Sequence, residues 1–210
     1  MFDWFGGKKK PSTMMEAELQ LYDEEILQTL ANTIKRKLRK PADYVSFGDL
    51  LIQTTAYADE SRIVALLCHA GACYYKGELY DKAIACWKTL VDNCHDISHP
   101  SRISAEYFLG RIYFDGDVVP QDRSEAMVHW GMAAQCGDIR AQMWNGILMA
   151  NLHMYSSAAY WLSLAAERGD SQSEKEFRQF LNLVPNPNDP EIQKKIREGK
   201  QDAKNFVKVR

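Results

Sequence analysis

The feature of this sequence that most constrains its fold is a helical pattern that returns along the chain. In the segment "SEAMVHWGMAAQCGD", Ala and Gly occupy helical positions where a protein core normally takes Leu. The small residues recur at a constant offset, as the pairs Ala126 and Ala158, Ala133 and Ala165, and Gly137 and Gly169. A fainter copy precedes them, in which Ala83 and Trp87 match Ala126 and Trp130. Self-similarity with a period of roughly 30–40 residues is typical of stacked helical units.

Each Ala-rich segment has a partner segment before it. Gly71, Gly110 and Gly146 align in these partners, and Tyr74 and Tyr113 each follow a glycine at the same distance. Two antiparallel helices approach closely only where their side chains are small, so these residues predict tight helical hairpins. We expect larger residues one turn away to fill the grooves between neighbouring pairs, namely Trp87, Trp130 and Trp161.

The two Gly-Asp steps predict turns between successive hairpins. Gly137 and Gly169 each follow an Ala-rich helix and precede an Asp. Glycine suits the left-handed residue that ends a helix, and Asp suits the N-cap of the next helix.

Helical patterns cover almost all of the chain, and the sequence shows no alternating strand pattern of any length. A long helix is predicted over 14–40 and a second over about 49–57, followed by the repeat hairpins over 61–183. After the break "VPNPNDP", Asp189 and Pro190 predict the start of a last helix, as N-cap and first helical residue.

Four regions follow from this pattern. We predict a flexible aromatic and basic tail over 1–13, a helical region over 14–60, repeats over 61–184 and a basic helix over 185–210. The last region holds seven basic and four acidic residues.

The composition excludes several classes of protein. The 26 basic and 28 acidic residues give no broad positive field, which argues against nucleic acid as the main ligand. The longest apolar run, over 63–75, is too short to span a bilayer, and the first residues lack the apolar core of a secretory signal. Five cysteines, an odd number, on apolar helix faces favour reduced thiols and a cytoplasmic protein, with the inner membrane surface as the alternative.

The best-formed copy, "AEYFLGRIYFDGDVVPQDRSEAMVHWGMAAQCGDIRAQ" over 105–142, resembles a Sel1-like repeat, a relative of the tetratricopeptide repeat. The resemblance rests on Ala105, Leu109, Gly110, Tyr113, Gly116, Val119, Asp122, Ala126, Trp130, Ala133, Ala134 and Gly137. The copy over 141–169 lacks the turn that contains Gly, Val and Asp, and the copy over 65–92 is degenerate.

This resemblance implies an all-α fold, a right-handed α-solenoid of antiparallel helix pairs with extra helices at both ends. It also implies a non-catalytic adaptor or scaffold, in a bacterium, that holds a protein or peptide in a concave groove. Some secreted relatives carry disulfides between adjacent repeats, but Ala134 and Ala141 stand at those positions here, which favours the cytosol. Bacterial relatives serve secretion, envelope or signalling systems, and some act as immunity proteins against a cognate toxin.

By analogy with tetratricopeptide proteins, first-helix residues outside the core pattern would line the groove. They are Tyr75, Tyr107, Arg111, Phe114, Arg140, Met143 and Lys175. Tyr, Arg and Met are enriched at interface cores. If the groove is open, changing Tyr107 or Arg111 abolishes partner capture without altering thermal unfolding. The alternative is that these residues pack against the terminal helices and fill the groove from within.

Potential metal ligands cluster in one third of the chain. They are Cys68, His69, Cys73, Cys86, Cys94, His95 and His99. No Cys-x-x-Cys pair is present, and the cysteines lie among apolar residues at helical spacing, where a free Cys acts as a small hydrophobe. We therefore expect structural cysteines, no metal, no cofactor and no catalytic site.

The first ten residues combine aromatic and basic side chains, namely Phe2, Trp4, Phe5, Lys8, Lys9 and Lys10. Such a segment can rest on an anionic membrane surface, which makes a peripheral membrane scaffold the alternative function. A frayed tail, or one folded onto the body of the protein, is the other interpretation of these residues.

Overall fold

The computed structural model of the chain describes residues 38–56, 58, 60–169 and 171–207. These ranges contain nine α-helices and no strand. The helices are α1 (Pro41–Thr55), α2 (Glu60–Lys76), α3 (Tyr80–Asn93), α4 (Pro100–Asp115), α5 (Arg123–Gln135), α6 (Ile139–Asn151), α7 (Tyr155–Glu167), α8 (Ser171–Leu183) and α9 (Pro190–Val207). The all-α helical-repeat fold is confirmed, while the right-handed sense of the superhelix stays a prediction.

The chain divides into two compact units. Among the described residues, 38–122 with α1 to α4 form one unit, and 123–207 with α5 to α9 form the other. The boundary between the units falls inside the predicted repeat region 61–184. The division into a tail, an N-terminal region, repeats and a basic helix stays a prediction.

The first described helix begins earlier than the sequence predicted, at Pro41 instead of near Asp49. Proline is favoured there because a first helical residue has no intrahelical partner for its N–H. The Asp43 carboxylate accepts hydrogen bonds from the backbone N–H of Lys40 (2.9 Å) and Arg39 (3.0 Å). These two bonds hold the chain at the start of the helix, and they lower the pKa of Asp43.

In unit 38–122, Trp87 of α3 is the centre of the packing. Its side chain is fully buried, and its ring stacks on Phe108 of α4 at 5.1 Å between centroids. Its indole N–H donates to the carbonyl of Cys68 on α2 (3.2 Å). A Cβ atom at Gly71 would overlap the indole, so this glycine allows α3 to lie against α2.

Unit 38–122 also has a polar link between its first three helices. The Tyr74 hydroxyl donates to Asp49 Oδ1 (2.8 Å). The Lys82 ammonium lies 3.2 Å from the same oxygen and 4.9 Å from the centre of the Tyr74 ring. Burial and the bond to Asp49 raise the pKa of Tyr74 far above its usual value.

In unit 123–207, the buried position that was predicted for Trp161 is occupied by Leu162 of α7. Leu162 is fully buried, and a Cβ at Gly146 of α6 would lie 2.7 Å from its Cγ. Trp161 is only half-buried, because it lies one residue out of register with Trp130. Trp130 itself is fully buried, as predicted, and stacks on Trp144 at 5.7 Å.

The predicted glycine turns are confirmed where the structure describes them. Gly137 and Gly169 have φ values of 94° and 85°, a region that only glycine enters at no cost. The Asp138 carboxylate caps α6 by accepting from the N–H of Ala141 (2.9 Å). Asp170, the second predicted cap, lies outside the described residues.

The last helix, α9, begins as predicted and covers α7. Asp189 Oδ1 accepts from the N–H of Glu191 (2.9 Å), and Pro190 is the first helical residue. One side of α9 is buried through Ile192, Ile196 and Ala203. A Cβ at Gly199 would overlap the Ser163 hydroxyl of α7, so the two backbones approach closely at this glycine.

Candidate partner-binding site

Helix α4 carries three of the seven predicted partner-binding residues and is buried on nearly every side. All residues from Ser104 to Ile112 are buried. Tyr107 is 0% exposed, Arg111 1% and Phe114 7%. A helix that is buried all round is a central element of a fold, and no partner reaches these side chains in this state of the chain.

The charges on α4 are held within the fold. Arg111 pairs with Asp115 at 3.1 Å, and their side chains are 1% and 5% exposed. Arg102 lies 3.5 Å from Glu106 and also donates to the carbonyl of Cys94. Breaking one side of a buried ion pair typically costs about 3–5 kcal/mol. This burial contradicts the expectation that changing Tyr107 or Arg111 leaves thermal unfolding unaltered.

Tyr75, the fourth predicted contact in this unit, lies inside the α2–α3 hairpin. It is 7% exposed, and its ring contacts Tyr80 at 5.1 Å and Trp87 at 6.2 Å between centroids. These ring contacts explain its burial without a partner.

In unit 123–207, two predicted contact residues reach solvent. The Arg140 side chain is 25% exposed, and Lys175 on α8 is exposed. Arg140 holds Asp138 with two guanidinium nitrogens, at 2.8 Å and 3.4 Å. Met143 is only 4% exposed. Five of the seven residues are thus buried, and a binding role for the set stays a prediction.

The aromatic and basic segment at the start of the chain lies outside the described residues. It comprises Phe2, Trp4, Phe5, Lys8, Lys9 and Lys10. Its predicted membrane contact therefore stays a prediction.

Sequence reasoning missed a polar cluster around Arg168, the residue that ends α7. Arg168 donates to the Gly137 carbonyl (2.6 Å) and to the Gln142 side chain (3.0 Å), and it lies 4.9 Å from the centre of the Phe206 ring. Gln142 is fully buried and donates to the Ala134 carbonyl (3.0 Å). The cluster joins the α5–α6 turn to α7 and α9. Its only signal in the sequence is a charged residue directly before the second Gly-Asp step.

Asn145 is a second buried polar residue that the sequence reasoning did not single out. It directly precedes Gly146, as Leu109 precedes Gly110, so a polar residue occupies a core position of the repeat. Asn145 is 1% exposed, and its Oδ1 accepts no hydrogen bond in the described part of the chain. An unsatisfied buried amide typically costs about 1–3 kcal/mol.

All five cysteines lie among the described residues and are free, and four of them are buried. Burial raises the pKa of the Cys86 thiol to about 11, which disfavours the reactive thiolate. His99 Nδ1 accepts from the backbone N–H of Ser101 (3.2 Å) at the start of α4. Among the described residues, no three His, Cys, Asp or Glu side chains lie close enough to hold a metal ion.

None of the described helices combines the length and the apolar character that crossing a membrane requires.

A comparison with protein families identifies the repeat. The family model for the Sel1 repeat matches residues 103–138 and 150–170. The first match runs from α4 through α5 to the cap of α6, and the second contains all of α7. These are the copies in which the small residues recur in register. Over these 57 of its 210 residues, the chain is similar to the Sel1 repeat family.

Proposed function

We propose that this chain is a non-catalytic adaptor that holds a partner protein on the first-helix side of its repeats. Sel1 repeats generally mediate contacts between proteins, and the family is typically non-catalytic. The observation that carries the proposal is a pair of cations that reach solvent, Lys175, which is exposed, and Arg140, whose side chain is 25% exposed. The other predicted contact residues on the first helices are buried.

Arg140 is well placed for recognition. Asp138 holds its guanidinium through two nitrogens, and the same carboxylate caps α6. The side chain therefore loses little conformational freedom on binding. Lys175 lies on α8, which packs against α6, so both cations belong to the first-helix side of unit 123–207. Asp138 offsets part of the Arg140 charge, so Lys175 supplies the main attraction for a partner that presents carboxylates.

The five buried residues have a different role in this proposal. Through their packing they fix the positions of the first helices and do not touch the partner. They are Tyr75, Tyr107, Arg111, Phe114 and Met143.

The test is capture of partners from a native bacterial lysate, quantified by mass spectrometry. The double variant Arg140→Glu, Lys175→Glu should lose a partner that the unaltered chain retains, because both changes oppose an acidic surface. The matched control is Lys88→Glu, Arg123→Glu, which makes the same charge change at exposed positions on the second helices α3 and α5. Equal recovery from all three proteins would contradict the proposal. A partner so identified would also decide between secretion, envelope, signalling and immunity roles.

A peripheral membrane scaffold is the second candidate function, and α9 is the observation that favours it. At 3.6 residues per turn, Arg197, Lys200 and Lys204 share one side of this helix, and all three are exposed. Lys194 lies beside them, but its ammonium is 3.9 Å from the Glu198 carboxylate. The apolar side of α9 is buried against α7, so any membrane contact through this helix is purely electrostatic, at about 1 kcal/mol per cation.

Sedimentation with vesicles of phosphatidylserine and phosphatidylcholine tests this second candidate. We expect the triple variant Arg197→Gln, Lys200→Gln, Lys204→Gln to sediment less than Lys40→Gln, Lys88→Gln, Arg123→Gln, which removes the same charge elsewhere. Absence of the unaltered chain from the pellet at low salt would reject the membrane role.

A further inference from the structure

A cleft of about 440 Å³ opens within unit 38–122, between the α2–α3 turn and the loop that follows α4. The residues that line it are Glu78, Leu79, Tyr80, Asp81, Lys82, Asp117 and Val118. The cleft is separate from the residues assigned to the first-helix surface.

Hydrogen bonds hold both walls of the cleft. In the turn, Glu78 is in the left-handed region (φ 62°), and the N–H of Leu79 donates to the Tyr74 carbonyl (2.9 Å). In the loop, the Gln121 side chain donates to the carbonyl of Phe114 (2.7 Å). A site with fixed walls binds a ligand at a low entropic cost.

The rim of the cleft carries uncompensated negative charge. Glu78, Asp81 and Asp117 are exposed, and none of the three carboxylates has an ion pair or hydrogen bond with a residue that the structure describes. Lys82, the cation in the lining, is bound to Asp49 at 3.2 Å and lies over the Tyr74 ring. A cationic side chain of a ligand could therefore pair with three carboxylates, because Lys82 is already paired with Asp49.

The rest of the lining is apolar. Leu79 is 38% exposed, and Val118 and Tyr80 lie beside it in the lining. Burying exposed apolar surface contributes about 25 cal/mol per Å². The α6–α7 turn offers a natural contrast, because Met154 there is 45% exposed but has no acidic residue within three positions along the chain.

We propose that this cleft binds a short segment of the partner protein in which Lys or Arg flanks an apolar side chain. The proposal rests on the adaptor function and names a second contact with the partner, of opposite charge to the first. The apolar side chain packs on Leu79 and Val118, while the cation lies among the carboxylates of Glu78, Asp81 and Asp117.

Fluorescence anisotropy with labelled nine-residue peptides tests this site on the full chain. One probe alternates lysine and leucine, and the second has glutamate in place of each lysine. The double variant Glu78→Gln, Asp117→Asn should bind the lysine probe about tenfold more weakly at low salt, as expected when two charge pairs are lost. The matched control is Glu60→Gln, Asp92→Asn, which removes the same charges at the other end of the α2–α3 hairpin. The control should bind the lysine probe as the unaltered chain does.

Three results would overturn the proposal. They are no binding of the lysine probe to the unaltered chain, equal binding by the double variant, and equal binding of the glutamate probe. None of them bears on the adaptor function, because Arg140 and Lys175 belong to the other unit and are tested by lysate capture.

Discussion

The hairpins α2–α3 and α6–α7, one in each unit, differ in sequence but are built in the same way. Each places a first-helix glycine against a large, fully buried residue of the second helix. The pairs are Gly71 with Trp87, and Gly146 with Leu162. The spacing between glycine and large residue is identical in the two hairpins.

The turns of these two hairpins match as well. Glu78 and His153 are both in the left-handed region, with φ values of 62° and 60°. Each donates a backbone hydrogen bond of 3.0 Å, to the carbonyl of Tyr75 and of Ala150 respectively. The Sel1 model nevertheless leaves α2–α3 outside its matches. The comparison teaches that the same close approach at a glycine occurs in a hairpin that the family model does not match.

The largest expected effect comes from filling the two glycine contacts. At Gly71 an added Cβ overlaps the rigid, buried indole of Trp87, so Gly71→Ala should lower the free energy of unfolding by about 3 kcal/mol. At Gly146 the Cβ would lie 2.7 Å from Leu162 Cγ and 3.1 Å from the Leu162 backbone nitrogen, so Gly146→Ala should cost about 2 kcal/mol. Urea unfolding followed by circular dichroism measures both changes.

Gly131 provides the control for these two variants. It lies inside α5, and a Cβ there would meet nothing within 4 Å. Gly131→Ala should therefore stabilise the protein by up to about 1 kcal/mol through helix propensity. If all three variants shift stability alike, the close contact at the glycine does not maintain the hairpins.

The two hairpins also differ in the residue before the glycine, and changing this residue should have a smaller effect on the free energy of unfolding. That residue is Ala70 in α2 and Asn145 in α6, and the Asn145 oxygen is unsatisfied within the described chain. Asn145→Leu keeps the branched shape and removes the unsatisfied group, so we expect the free energy of unfolding to rise by about 1 kcal/mol. Calorimetry or urea unfolding measures this. A loss of stability would show that the amide makes a stabilising contact, such as one to bound water.

The smallest expected effect is on the pH dependence of stability. We expect the stability of α2–α3 to fall at low pH more than that of α6–α7. His69 lies two residues before Gly71, where α6 has Trp144. Burial lowers the pKa of His69, so the folded state binds a proton more weakly than the unfolded state, whose pKa is about 6.5. The stability that this difference supplies is fully present above the unfolded pKa and is lost as the pH falls from that value through the lower folded pKa.

Hydrogen exchange resolved by hairpin measures this difference. Lowering the pH from about 7.5 to about 5.5, on either side of the unfolded value, should increase the opening of α2–α3 more than that of α6–α7. The variant His69→Gln should remove the excess. Equal opening of both hairpins in the unaltered chain would reject a role for His69.

The helices and their turns could be predicted from the sequence because their causes are local. Gly137 and Asp138 act through their own backbone and the next turn, and the Asp189 and Pro190 pair starts α9 in the same way. The left-handed residues Glu78 and His153 were missed because glycine usually marks that conformation. There the hairpin closure imposes the conformation on residues that do not prefer it.

The burial of the predicted contact residues could not be read from the sequence because it depends on distant neighbours. Arg111 is charged and lies outside the core pattern of the repeat, yet it is buried with Asp115 as an ion pair. Trp161 shows the same limit on a smaller scale. Trp161 lies one position before the residue that matches Trp130. Leu162 therefore packs on Gly146, and Trp161 is only half-buried.

The close approach of α9 to α7 restricts how this gene could lengthen by duplication. Gly199 lies against Ser163, and Tyr160 donates to Asp202 (2.9 Å), so α9 fits the particular surface of α7. A repeat copied in after α8 would separate α9 from that surface, whereas a copy inserted before α6 would leave their contact intact. Relatives with more repeats should therefore have gained them upstream of the segment that corresponds to α6–α9.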